Sequence, residues 1–333
     1  MLLYDPDKVE NDPLKYEDVQ TPDPKRGELL LKIISCGVCH SNLHMIEGEW
    51  VKYGLPAKKP IIPGHEIIGR VEEVGEGVTD FRKGDLAGVQ PIYSTCGHCE
   101  YCLTGREQLC QSRQVTGETV DGGYAEYIVT KADFTYHVPE NIDPETSSPL
   151  FCPGITAYGA VKKADLSPEK TAYVIGVGGV GHMAIQLAKL YGARIVAVST
   201  SEAHRKLAES LGADEVLDPG KNYEKVNGMK RQADSVIVFA PSQDAVDAAL
   251  RLVKPGGTVV MGVHGQIRNY YFFDEVKVTG TLVGNRQDMK EVLRLASEGK
   301  IRVEAEKFAL KEANEALRRL KHGEINGRAV LIP

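Results

Sequence analysis

The sequence lacks the features that would direct it to a membrane, a nucleic acid or a disulfide scaffold. No apolar run in its 333 residues approaches the ~20 needed to cross a bilayer. Positive charge is not in excess. The net charge is −6, so the basic face that non-specific nucleic-acid binding requires is missing. Seven cysteines are too few, and odd in number, for a disulfide framework in a chain this long. The stretch Met1 to Lys15 is acidic and proline-marked, with neither the basic nor the apolar region of a secretory leader, so a cytoplasmic protein is expected.

What is present is ordinary for a globular protein: 42% hydrophobic and 26% charged residues. The length exceeds what one core usually holds, so two domains are expected. From Glu28 to about Val138 short β segments (ELLLKII, HEIIGRVEEVG, GGYAEYIV) are broken by glycine turns, as in a compact, mostly antiparallel β domain. Near Pro153 the pattern changes. Apolar strands at Tyr173–Val177, Arg194–Ser199, Glu215–Asp218, Asp234–Ala240 and Thr258–Val263 alternate with helices at His182–Tyr191, Glu202–Leu211 and Gln243–Val253. Continuous apolar strands alternating with helices predict α/β architecture, a doubly wound parallel sheet closed by a strand at Val276–Val283. Helices Asp288–Glu298 and Lys311–Lys321 and a last strand, Arg328–Ile332, follow. The tail is expected to return to the first domain, which makes residues 154–283 a Rossmann cofactor domain inserted between 1–153 and 284–333.

Three residue sets carry chemistry. Gly176-Val177-Gly178-Gly179-Val180-Gly181 sits between a strand and a helix. Gly176 permits the tight turn, Gly178 admits a pyrophosphate to the backbone, and Gly181 lets helix pack on strand, so the loop is read as a dinucleotide site. Cys96, Cys99 and Cys102 at steps of three, then Cys110, can surround one ion as four thiolates with no open position. A redox CxxC or paired disulfides are the other readings of that cluster, and the spacing favours a closed, structural zinc. His98 within the loop is expected to be solvated. The third set is dispersed: Cys39, His65 and Cys152. Two thiolates and an imidazole make an open, three-ligand zinc site, but spacing alone leaves this trio balanced between a metal site and three unrelated half-buried residues.

The segments CGVCHSNLH, PGHE, STCGHCEYCLTGREQLC, DGGYAEY, FCPGITAY, GVGGVGHMAIQLAK, LVGNRQD and INGRAVL, in that order, resemble the zinc-dependent medium-chain alcohol dehydrogenases, particularly their microbial tetrameric branch. The resemblance runs from about Glu28 to the C-terminus and implies a GroES-like first domain. It implies two zinc ions per chain, with Cys39, His65 and Cys152 as ligands of the catalytic one and Glu66 as its neighbouring carboxylate. It further implies that Ser41 and His44 carry the substrate proton, that His40 meets the pyrophosphate and that Thr156 borders the nicotinamide. Asn285 and Arg286 are expected at the cofactor phosphates and Trp50 in the substrate pocket; Cys36 is expected to be a buried strand residue. A small alcohol or carbonyl substrate and a homo-oligomer, tetramer or dimer, are implied as well.

The sequence departs from that family in four places. Asn42 stands where an Asp is usual, which alters the surroundings of His65. Pro91 replaces a bulky aromatic, and this suggests a roomier pocket. Gly84-Asp85-Leu86-Ala87 differs from the usual Gly-Asp-Arg-Val with no functional reading. At the end of the second Rossmann strand, Ser199-Thr200-Ser201, followed by His204 and Arg205, replaces the acid that binds ribose hydroxyls in NAD-specific relatives. Hydroxyls and a cation suit a 2′-phosphate, so NADP(H) is favoured over NAD(H). The plainer reading is a helix cap, with Glu202 taking the ribose.

Overall fold

The computed structural model describes residues 1–268 and 270–333. They form two compact units: Met1–Cys152 with Asn285–Ser297 and Val303–Pro333, and Pro153–Gly284 with Glu298–Arg302.

The first unit is built on a long, almost wholly buried strand, β1 (Glu28–Val38), whose run ELLLKIISCGV fits a position flanked on both sides. Helix α1 (His40–Ile46) follows one residue later. Strand β2 (Glu66–Val74) pairs antiparallel with β1, then β3 (Leu86–Val89) with β2. Strand β4 (Tyr127–Lys131) also pairs with β1, and β5 (Thr135–His137) with β3. Leu29, Leu31, Ile33, Ile67, Val71 and Val89 form the core beneath. The segment GGYAEYIV is strand only from Tyr127. Its glycines instead press backbone on backbone: a Cβ on Gly122 would lie 2.1 Å from the Gly64 carbonyl oxygen.

The second unit opens with α2 (Pro153–Lys163), a helix the sequence reading did not foresee. It continues β6 (Thr171–Ile175), α3 (Gly181–Lys189), β7 (Arg194–Val198), α4 (Glu202–Ser210), β8 (Glu215–Leu217), β9 (Ala233–Val238), α5 (Gln243–Leu252), β10 (Val253–Met261) and β11 (Lys277–Gly280). The six strands are parallel in the order β8-β7-β6-β9-β10-β11. This is the doubly wound arrangement, with the order reversing at β6, where the first βα turn carries the glycines. Ser201 and Ser242 cap α4 and α5 by accepting from the amides of His204 and Ala245.

The tail contributes α6 (Arg286–Ser297), β12 (Ala305–Ala309), α7 (Ala313–Lys321) and β13 (Arg328–Ile332). Strand β13 lies between β12 and β1, so the sheet of the first unit runs β12-β13-β1-β2-β3-β5.

Candidate metal centre and cofactor loop

Strand register brings the dispersed set together. Gly37 on β1 faces Glu66 on β2, and Val38 on β1 faces Ala329 on β13. Cys39 just past β1, His65 just before β2 and Arg328 at the head of β13 therefore meet at one end of the sheet. Cys152 joins them from the 3-10 turn Ser148–Phe151. That turn is seated deep because Gly88 lacks a side chain; a Cβ there would overlap the Phe151 ring at 1.9 Å.

Ligand atoms of Cys39, His65, Glu66 and Cys152 all lie within 4.8 Å of one another, and all four residues are buried. The Cys39 and Cys152 sulfurs are 3.9 Å apart. Zinc–sulfur bonds of ~2.3 Å in a tetrahedron place sulfurs ~3.8 Å apart, so the pair fits two ligands of one ion. Hydrogen bonding from the Cys152 thiol, outweighing burial, together with the nearby His65 holds the Cys39 thiol well below its usual range. It is therefore the sulfur readiest to ligate as thiolate.

Glu66 is fully buried and bonded by Arg328, itself only 3% exposed. Its second carboxylate oxygen has no hydrogen-bond partner among the described residues. Burial pushes the Glu66 carboxyl up, and Arg328 pulls against it. Sequence reading missed Arg328, although INGRAVL was noted. The available signal was a lone cation heading an otherwise apolar, buried strand.

The cysteine loop forms a second sulfur cluster in the same unit. Cys99–Cys102, Cys96–Cys110 and Cys96–Cys102 sulfur distances are 3.5, 3.6 and 3.9 Å, again tetrahedron edges. All seven cysteines are free of disulfides. Backbone amides of His98 and Cys99 aimed at Cys96 lower its thiol to about 6. His98 is exposed, with Nδ1 2.7 Å from the Cys96 carbonyl oxygen.

Helix α1 carries His40, Ser41 and His44. Ser41 and His44 are half-buried and three apart, so they share a helix face; His40 is exposed. His44 Nδ1 lies 3.0 Å from Glu49 Oε2, and its ring stacks on Trp50 at 5.9 Å.

In the second unit the glycine loop has the shape its sequence requires. Gly176 has φ +95°, and a Cβ on Gly181 would lie 1.9 Å from the Gly176 carbonyl oxygen. Gly178 faces open space, with nothing within 4 Å of an added Cβ. Val180, at the N-cap of α3 beside Gly179, supplies no side-chain acceptor to the first turn. An anion fits this cradle of amides. Thr156 is half-buried on α2.

At the end of β7, Ser199 is buried and its Oγ accepts from the Ser201 amide. Arg205 donates to the carbonyls of Ser199 and Thr200 at 2.7 and 2.9 Å, and Glu202 is paired with Lys206. The cap reading thus holds for Ser201, while Arg205 is anchored beside the strand end.

Asn285 and Arg286, expected at the cofactor phosphates, make contacts within the first unit. Asn285 accepts from the Asp288 amide at the start of α6 and donates to the Gly105 carbonyl at 2.7 Å. Arg286 Nε donates to buried Glu107 at 3.1 Å, and its guanidinium lies over Phe134. The charge-assisted bond uses Arg286 Nε, and its side chain stays 46% exposed. The pair fastens α6 to the cysteine loop.

Comparison with known proteins agrees with this geometry. Residues 25–140 match the alcohol dehydrogenase GroES-like domain, and residues 179–298 match the zinc-binding dehydrogenase family. An alcohol dehydrogenase of Geobacillus stearothermophilus is 40% identical over 327 residues, covering 96% of each chain. An NAD-dependent alcohol dehydrogenase of Sulfurisphaera tokodaii is 39% identical, covering 96% of this chain and 97% of that one. The crystal structure of the Aeropyrum pernix alcohol dehydrogenase superposes with a TM-score of 0.91 at 36% identity, covering 100% of this chain and 99% of that one. The chain belongs to the zinc-type medium-chain alcohol dehydrogenases, oxidoreductases that interconvert alcohols and carbonyl compounds with a nicotinamide cofactor.

Proposed function

We propose that the chain moves hydride between primary or secondary alcohols, or the matching aldehydes and ketones, and NADP(H). In this reading Cys39, His65 and Cys152 hold a catalytic zinc and Cys96, Cys99, Cys102 and Cys110 a structural one. The observation that carries it is the convergence of the Cys39, His65 and Cys152 ligand atoms in one buried pocket. When bound there, zinc supplies Lewis acidity that makes an alcohol hydroxyl acidic near neutral pH, and nicotinamide accepts or returns the hydride.

The chain's own residues handle the proton and the water. Ser41 Oγ takes the hydroxyl proton, and His44, three residues on, carries it to solvent. With His44 Nδ1 turned to Glu49, Nε2 is the atom left to exchange that proton. Trp50, stacked on His44, keeps water off that side of the ring. Pyrophosphate is held by the amides at Gly178–Gly181.

The preference for NADP(H) rests on the end of β7, where hydroxyls and the anchored Arg205 guanidinium stand in place of an acid. An exposed aromatic run, Tyr270–Phe273, supports a homo-oligomer, dimer or tetramer, which light scattering will settle. Seven free thiols suit a reducing, cytoplasmic setting.

An alcohol and aldehyde panel run with both cofactors tests the reading. NADP(H) should give the higher kcat/KM, and Ser199→Asp should reverse the preference by setting a carboxylate against the 2′-phosphate. A wild-type preference of tenfold for NAD(H), ~1.4 kcal/mol, would overturn the NADP assignment.

A further inference from the structure

Both ring nitrogens of His65 are buried without a hydrogen-bond partner among the described residues, and the side chain is 1% exposed. An imidazole that binds metal through one nitrogen needs an acceptor on the other to fix its tautomer and its direction. Asn42, three residues after Cys39, does not supply it. Both of its amide atoms are buried without a hydrogen bond among the described residues.

The group facing Nδ1 is a carboxylate from a different segment. Glu118 Oε1 lies 3.8 Å from His65 Nδ1, and the Glu118 side chain is only 10% exposed. Its placement follows from backbone packing. Gly117 has φ +72°, and a Cβ on it would lie 2.6 Å from the Gly64 nitrogen and 2.7 Å from the Gly64 oxygen. Only a residue without a side chain lets the turn Val115–Val120 lie this close to the residue preceding His65. The Glu118 carbonyl accepts from the Ala57 amide at 3.0 Å, and its amide donates to the Val115 carbonyl at 3.2 Å. The turn is thus pinned on both sides, and the one acidic side chain on it comes to His65. A buried carboxylate is costly unless a cation or an N–H answers it, and His65 is the partner at hand.

We propose that Glu118 is the positioning residue of the catalytic zinc site, holding His65 through Nδ1 and passing negative charge toward the metal, a task that neutral Asn42 does not perform. The 3.8 Å separation is ion-pair reach. This inference rests on the assignment of Cys39, His65 and Cys152 as zinc ligands.

The test uses the zinc-loaded enzyme and follows metal release to a chelator. Wild type should hold two zincs per chain, and Glu118→Gln, which keeps the volume and removes the charge, should lose one of them about 10–100-fold faster. The other zinc should leave at the wild-type rate. In enzyme with cobalt in the readily exchanged site, the visible ligand-field bands should shift in Glu118→Gln. Glu118→Met gives a second variant of similar size should Gln impair folding. Unchanged release from the faster site, or equal acceleration at both sites, overturns the proposal. A wild type that holds only one zinc, unaffected by Cys152→Ala, overturns the ligand assignment instead, so the two failures are distinguishable.

Discussion

The Arg328–Glu66 pair shows how far a single buried interaction reaches in this fold. Both side chains are essentially out of water; burial disfavours the Arg328 charge, but Glu66 and the charges of Cys39 and Cys152 raise its affinity for a proton. Two buried charges that answer each other contribute little net stability, but removing one leaves the other desolvated and unpaired. Arg328→Met should therefore cost about 3–5 kcal/mol in urea unfolding. Glu66→Gln in the same background should restore part of it, because the orphaned carboxylate is then gone. A double mutant as unstable as the sum of the two singles would show that the pair does not interact. The pair was not legible in the sequence. Its members are 262 positions apart, and only the register of β13 on β1 makes them neighbours. Glu118 escaped reading for the same reason, since nothing local in Gly117-Glu118-Thr119 names His65 as its partner. The cysteine loop was legible because its four cysteines lie in one short segment.

At the scale of elements, the turn that carries Cys152 depends on a missing side chain in β3. The Phe151 ring fills the space above Gly88, and Phe151 itself is fully buried. Gly88→Ala would force the ring to move or the strand to shift, an overpacking that costs about 1–3 kcal/mol. Because Cys152 is the next residue, the displacement is transmitted to the proposed zinc ligand. The variant should lose kcat and its more exchangeable zinc at temperatures where the fold is still intact. Metal content and circular dichroism measured together will show this; loss of fold before loss of metal would mean that the turn is held by something else. The Rossmann elements were readable because apolar strands and Ser caps agree with one another. Helix α2 was not, because Pro153, Gly154 and Gly159 blunt its pattern. Gly159 is needed there, since a Cβ would lie 2.7 Å from the Val283 carbonyl. Strand β10 begins at Val253, earlier than expected, because residues 254–257 are absorbed as a register shift against β9. Strand β11 stops at Gly280, short of the expected Val283, whose φ of +34° is not strand geometry.

At the scale of the whole molecule, the two sulfur clusters belong to one unit but bear different burdens. Between Cys96 and Cys110 the chain buries little besides Cys110 and Glu107, so it has no apolar core of its own to pay for its ordering. On the proposed assignment, a metal held by the four thiolates would be the main source of order for that loop. The two-strand ladder of Ile92–Ser94 with Gln114–Val115 closes its base. Asn285 and Arg286 tie its middle to α6, and Arg113 donates to the Cys110 carbonyl at 3.0 Å. Cys99→Ala should therefore release that metal and lower stability by about 2–3 kcal/mol, or ~5–10 °C in Tm for a unit of this size. Amide exchange should quicken over residues 92–115 and at the first turn of α6, and activity should fall only as the fold does. Cys152→Ala removes a ligand from a pocket already walled by β1, β2 and β13, so Tm should move by no more than ~2–4 °C while turnover disappears. The comparison separates the two roles because each variant removes one thiol from one cluster. If both variants lose activity in step with Tm, neither cluster is distinguished as catalytic. If Cys99→Ala leaves Tm and amide exchange untouched, the loop is ordered without its metal and the structural assignment fails.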